Sequence, residues 1–294
     1  MRYHLLALLV VTVWGSTFIS TKLLLLSGLS AAQIFVLRFI IAYVMLLVYC
    51  AAIRRLKLFA DTWPDELLML ALGIAGGSLY FLTENSAMNY TTTTNTSLIV
   101  SLSPLVATAL ISIFYQSQRL SRVQLAGTLM AALGVTVVVL NGRFVLHLSP
   151  VGDSLAFAAA LCWGFYSLLM IRANQRYDIL FITRKVFFYG LLSMIPYFLL
   201  WPGFPPVERI LQASVLAHLL FLGCVASMLC FLAWNLAMKR LGAVVATNYV
   251  YFNPVTTIIF AWIILSEQIT PYFLLGTVLI LAGMYLADRR TAEK

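Results

Sequence analysis

Charge is scarce in this sequence. Asp, Glu, Lys and Arg together make up 10% of its 294 residues, against about 25% in a soluble domain. A chain so poor in charge cannot cover a water-facing surface, which excludes a water-soluble enzyme. Acid is the scarcer sign, with 10 Asp and Glu against 19 Lys and Arg and a formal net charge of +9. Cysteine is limited to Cys50, Cys162, Cys224 and Cys230, none in CxxC spacing, and His4, His147 and His218 are isolated. Neither a metal cluster nor a disulfide framework is therefore expected, and the cysteines read as small buried hydrophobes. HExxH, GxSxG and a phosphate-binding loop are all missing, so no catalytic residue or cofactor is called for.

What is abundant is apolar: 62% of the residues are hydrophobic. That excess also excludes disorder, and a membrane-spanning helix takes about 20 such residues. Ten apolar stretches can be marked, near 3–27, 31–53, 66–88, 93–115, 121–141, 150–172, 178–201, 212–237, 243–265 and 270–287. Turn residues punctuate them, among them Ser27-Gly28, Asn141-Gly142, Pro202-Gly203, Leu241-Gly242 and Thr270-Pro271. Alternate loops divide the positive charge unequally. Arg2, Arg54, Arg55, Lys57, Arg119, Arg122, Arg172, Arg176, Lys239, Arg240, Arg289, Arg290 and Lys294 fall on one side, and only Lys22, Arg143 and Arg209 on the other. The positive-inside rule then puts both termini in the cytoplasm. It also accounts for the +9 without nucleic acid, which is not expected as a partner. The expected class is an all-α membrane protein of ten transmembrane helices in a bacterial inner membrane.

The two halves align on each other. At an offset of 149, Trp14-Gly15 falls on Trp163-Gly164. At 150, Phe81-Leu82, Asn85, Ala87-Met88, Val100 and Pro104 fall on Phe231-Leu232, Asn235, Ala237-Met238, Val250 and Pro254. At 149 again, Gly127-Thr128 and Gly134 fall on Gly276-Thr277 and Gly283. Residues 1–142 and 149–289 are thus expected to be two five-helix repeats. Five is odd, so the second copy enters the membrane inverted, an arrangement recurrent in secondary transporters with a site near the midplane. The first 27 residues have the outline of a secretory signal, but their partner in the second half makes them part of the folded unit.

Ionisable residues inside spans are costly and mark candidate sites. Four qualify: Arg38, Glu84, Arg184 and Lys185. Arg38 suits a substrate carboxylate; Glu84 suits an amino group or an exchangeable proton, and the two are close enough in depth to pair. Lys185 is a second candidate for proton or ion coupling. Around them Tyr80, Asn85, Asn235, Tyr249 and Asn253 concentrate hydrogen-bonding capacity, and Trp14 and Trp163, near mid-span, suit the wall of an apolar cavity. Pro104 and Pro254 each remove a backbone donor in mid-helix and are expected to act as hinges.

Trp14-Gly15-Ser16-Thr17-Phe18 with Lys22, then Arg38-Phe39, resembles the first two helices of bacterial EamA-type exporters of the drug/metabolite transporter superfamily. Pro254, Ser266-Glu267, Gly276 and Gly283 are similar to that family's end-of-repeat pattern, with one departure: Gln118 stands in the first copy where Glu267 stands in the second. The resemblance implies a ten-helix, inverted-repeat exporter of amino acids or related metabolites; alternating access is the expected mechanism, and a monomer or homodimer the expected state. Efflux of cationic or amphipathic drugs, with Glu84 as the cation site, is the alternative. A non-transporting membrane enzyme or scaffold is the alternative of a different class.

Overall fold

The computed structural model describes residues 2–54, 57–115, 121–140, 149–201, 203–265 and 271–288. Gln118 and Glu267 lie outside the described residues, as do Arg55, Arg119, Arg143, His147, Arg289, Arg290, Lys294, Asn141-Gly142, Pro202, Ser266 and Thr270. Every regular element among the described residues is helical. In lipid this follows from the backbone, whose polar groups must be satisfied within the segment itself.

Helices α1 (Arg2–Leu26) and α2 (Ala31–Ala52) are joined by a turn in which Gly28 has φ 89°. Ser30 then caps α2 through a reciprocal capping box with Gln33. Thr62 caps α3 (Trp63–Gly73), which passes through a π-helical segment, Ile74–Ser78, into α4 (Leu79–Tyr90). Next come α5 (Thr93–Val100), α6 (Ser103–Phe114) and α7 (Arg122–Leu140). Ser149 caps α8 (Pro150–Arg176), and Asp178 caps α9 (Ile179–Leu192), which α10 (Ile195–Leu200) extends. After the short α11 (Val207–Ile210), α12 (Ala213–Leu220) runs through a second π-helical segment, Phe221–Leu229, into α13 (Cys230–Leu241). Gly242, at φ 90°, turns the chain into α14 (Ala243–Asn248). A 3₁₀ turn, Tyr249–Phe252, then leads to α15 (Asn253–Leu265), and α16 (Pro271–Asp288) follows.

Eight of these helical stretches are long and apolar enough to cross a membrane, and the shorter Arg122–Val138 and Pro271–Ala287 are also apolar. The protein is an integral multi-pass membrane protein. Leu5, Leu9, Val48, Ile113, Leu199 and Val278 are each at least 60% exposed, as lipid-facing side chains should be.

Lipid tails are as apolar as leucine, so helices in a bilayer associate through close packing rather than through the hydrophobic effect. Glycine is the means here. A Cβ on Gly15 of α1 would come within 1.8 Å of Thr256 Oγ1 on α15, and one on Gly164 of α8 within 2.5 Å of Val106 Cγ1 on α6. Thus α1 packs on α13 and α15, and α8 packs on α4 and α6. The tightest seam joins α7 to α16. Cβ atoms on Gly127 and Gly283 would each lie 2.4 Å from backbone nitrogen of the opposite helix, and Gly134 and Gly276 face each other's carbonyls at 2.7–2.8 Å.

Neither π segment is visible in the hydrophobic pattern. Each widens its helix by an i→i+5 turn, and each lies in the third long stretch of its half of the chain, immediately before the matched Phe81 and Phe231.

Candidate functional site

A central chamber lies where these helices converge. Its wall takes Trp14, Thr17 and Phe18 from α1, Arg38 from α2, Tyr80, Phe81 and Glu84 from α4, and Trp163 from α8. The interrupted stretches supply Val100, Ser103, Val250 and Asn253, and α13 supplies Phe231. The chamber encloses about 30 Å³, space for roughly one or two waters.

The wall is mainly aromatic. The matched tryptophans meet edge to face, with ring centroids of Trp14 and Trp163 5.3 Å apart. Trp163 also lies 5.1 Å from Tyr80, and Trp14 lies 5.0 Å from Trp234. Trp14 Nε1 donates to the Ala226 carbonyl at 3.0 Å, whereas Trp163 Nε1 has no partner among the described residues.

Two opposite charges face this space without touching. Arg38, 2% exposed, donates from Nε to Ser227 Oγ at 2.9 Å, and its guanidinium lies 4.4 Å above the Phe81 ring. Glu84, 7% exposed, accepts the Tyr80 hydroxyl at 2.7 Å. Ser227 belongs to the π segment of residues 221–229. Ser103 Oγ and Asn253 Oδ1 are also buried without partners among the described residues. Aromatic faces, one cation, one acid and several open polar atoms form a set suited to a small zwitterion.

Of the residues singled out from the sequence, Trp14, Arg38, Tyr80, Glu84, Trp163 and Asn253 share the chamber. Asn85 is fully buried one residue beyond it, with Nδ2 3.4 Å from the Ala31 carbonyl. Asn235 is held within the helix packing, accepting from Tyr166 at 2.7 Å and donating to Thr183 at 2.9 Å. Tyr249 is bonded to His4 at 2.7 Å. Pro104 and Pro254 are each the second residue of a helix, α6 and α15, and the helix before each has already ended.

Lys185 lies elsewhere, toward the side that carries the basic loops, in a buried network centred on Asp65 and Glu66. Glu66 accepts from Lys185, from Tyr189 and from the Ala60 amide. Asp65 accepts from Arg176 Nη1 at 2.9 and 3.0 Å, from Thr62 at 2.9 Å and from Tyr177 at 3.1 Å. Asp65 and Glu66, in the first turn of α3, are buried as well, 2% and 7% exposed. In sequence they look like an ordinary acidic first turn, which the helix dipole favours at the surface. Phe81 and Phe231 also line the chamber, and their matched positions in the two halves are the sequence signal for them.

The model of the EamA-like transporter family matches residues 1–140 and 150–287. The chain belongs to the EamA-like transporter family. It is 28% identical over 295 residues to an uncharacterized transporter of Archaeoglobus fulgidus, covering 98% of each chain. It is 29% identical to a "probable amino-acid metabolite efflux pump" of Salmonella typhimurium, over 98% of this chain and 97% of that one. At 26% identity it matches a "probable terminal-alkyne amino-acid exporter" of Streptantibioticus cattleyicolor, over 96% and 92%. A crystal structure 22% identical in sequence superposes with a TM-score of 0.75, over 100% of this chain and 99% of its own, and shows the same fold. As a family member the protein is a membrane transporter.

Proposed function

We propose that this transporter exports amino acids or closely related zwitterions from the bacterial cytoplasm across the inner membrane by alternating access. The carrying observation is the chamber in which Arg38 and Glu84 present opposite charges, unpaired with each other, within an aromatic wall. Arg38 receives the substrate carboxylate and Glu84 its ammonium, or a proton in exchange. A relative named as a probable terminal-alkyne amino-acid exporter and one named as a probable amino-acid metabolite efflux pump support the same substrate class.

The proposed frame is ten helices in two inverted repeats with both termini cytoplasmic. Its support is the reciprocal packing of Gly15 on α15 and Gly164 on α6, contacts at matched positions of the two halves. Asp65 and Glu66 then sit on the cytoplasmic side and tie α3 to α8 and α9. With about 30 Å³ inside, the chamber admits a substrate only after the helices around it separate, with Pro104 and Pro254 as the proposed hinges.

The test is binding to purified protein and export from reconstituted vesicles across an amino-acid panel. Amino acids are expected to raise the melting temperature and be transported, and Arg38→Ala to abolish both with normal membrane insertion. Normal transport by Arg38→Ala removes the carboxylate assignment. Competition by lipophilic cations in place of amino acids shifts the reading to efflux of cationic drugs, with Glu84 as their anchor. Coupling is read separately: an imposed pH gradient drives export in the wild type and loses its effect in Glu84→Gln.

A further inference from the structure

Arg184 has no place in the chamber or in the acidic network. It is 3% exposed, yet its Nη1 and Nη2 have no hydrogen-bond partner among the described residues. Nearby acids are already engaged: Glu66 by Lys185, Tyr189 and the Ala60 amide, and Asp178 by the Leu180 amide it caps. Among the described residues the guanidinium has beside it the Phe181 ring, 5.8 Å away, and the Cys50 thiol, a neutral and weak hydrogen-bonding neighbour. A buried cation at membrane depth is costly unless an anion meets it.

The surroundings indicate where that anion comes from. Arg184 and Lys185 line a cavity of about 140 Å³ with Tyr43, Phe59 and Phe188, room for a phosphate group. Tyr43 and Phe188 also begin a second hollow, an open groove of about 500 Å³ that continues past Ile40, Leu192 and Ile195 toward Phe204. Its walls are apolar, and it opens on the face where Val44, Leu192 and Leu199 are exposed. Arg184 is five residues inside α9, or roughly 8 Å from the end of that helix at 1.5 Å per residue. That depth, on the side carrying the basic loops, is close to the boundary between headgroups and acyl chains.

We propose that α2, α9 and α10 form a binding site for an anionic phospholipid, with its phosphate on Arg184 and one acyl chain in the groove beyond Tyr43 and Phe188. Basic pockets between membrane helices near the cytoplasmic surface select such headgroups. The charged cavity and the apolar groove share Tyr43 and Phe188 as lining, and this adjacency favours a lipid over a free anion. The proposal is independent of the transport reading, and its test reads lipid binding alone.

The full-length protein, delipidated in detergent, is titrated with phosphatidylglycerol and with phosphatidylcholine by native mass spectrometry and thermal shift. The wild type is expected to bind the anionic lipid at least tenfold more tightly. Arg184→Gln should fold, since it removes an unpaired charge, and should bind both lipids equally. Ile195→Trp, which fills the groove without altering charge, should weaken both lipids and keep the preference for the anionic one. It also carries the test if Arg184→Gln fails to fold. Equal binding of the two lipids by the wild type, or a tenfold preference surviving in Arg184→Gln, overturns the proposal. Displacement of phosphatidylglycerol by millimolar inorganic phosphate also overturns it, by making the pocket a free-anion site.

Discussion

Arg38 does two things that a lysine cannot do together. Its Nε is fixed to Ser227 while its planar face rests on Phe81, which leaves the two terminal nitrogens free to grip a carboxylate in bidentate fashion. Arg38→Lys is therefore expected to weaken amino-acid binding at least tenfold, about 1.4 kcal/mol, as measured by calorimetric titration. The tryptophans separate stability from binding. Trp14→Phe strands the Ala226 carbonyl and should lower stability by about 1–2 kcal/mol, seen as a lower melting temperature. Trp163 Nε1 has no partner among the described residues, so Trp163→Phe should lower melting less than Trp14→Phe does while altering affinity. The rarity of charge was enough to single out Arg38 and Glu84. It could not separate Asn253 at the chamber from Asn235 in the packing, because both are asparagines within apolar stretches and only their surroundings differ.

Among the elements, the interrupted stretches at 93–114 and 243–265 bear most directly on motion. Pro104 and Pro254 each begin a new helix, where a missing N–H is no loss because the first turn has no intrahelical acceptor for it. The break itself occurs at Ser101-Leu102 in one stretch and at Tyr249–Phe252 in the other. Pro254→Ala should then change stability by less than about 1 kcal/mol, well below the roughly 3 kcal/mol proline scale of a helix interior. Vesicle transport should nonetheless slow several-fold as the stretch gains the option of continuous helix. Paired thermal melts and flux assays check this. Hydrophobic length and turn residues located the helices, and proline located the interruptions within a few residues. The two π segments were not legible, since adding one residue to a turn leaves an all-apolar run looking the same.

For the whole molecule, the acidic network holds one side together while the chamber is nearly filled. Lys185 and Glu66 are both buried, with side chains 5% and 9% exposed. Removing one partner strands the other and costs about 3–5 kcal/mol, whereas removing both strands neither. Lys185→Met should therefore melt well below the double variant Glu66→Gln/Lys185→Met, and the double variant should admit thiol reagents from the α3–α9 side to a cysteine at Thr17 more readily. The network was hidden in the sequence because its members come from α3, α8 and α9, separated by more than a hundred residues.

The seam between α7 and α16 has a different consequence. Gly127, Gly134, Gly276 and Gly283 bring main chain against main chain, and the side chains beside them, Val138 and Ile280, are fully buried. Two helices so joined turn as a single rod. In the proposed alternating-access cycle this rod is expected to serve as the axle: spin labels across it should keep one fixed separation under every substrate condition, and all measured displacement should fall on the helices that carry Arg38, Glu84 and the two tryptophans.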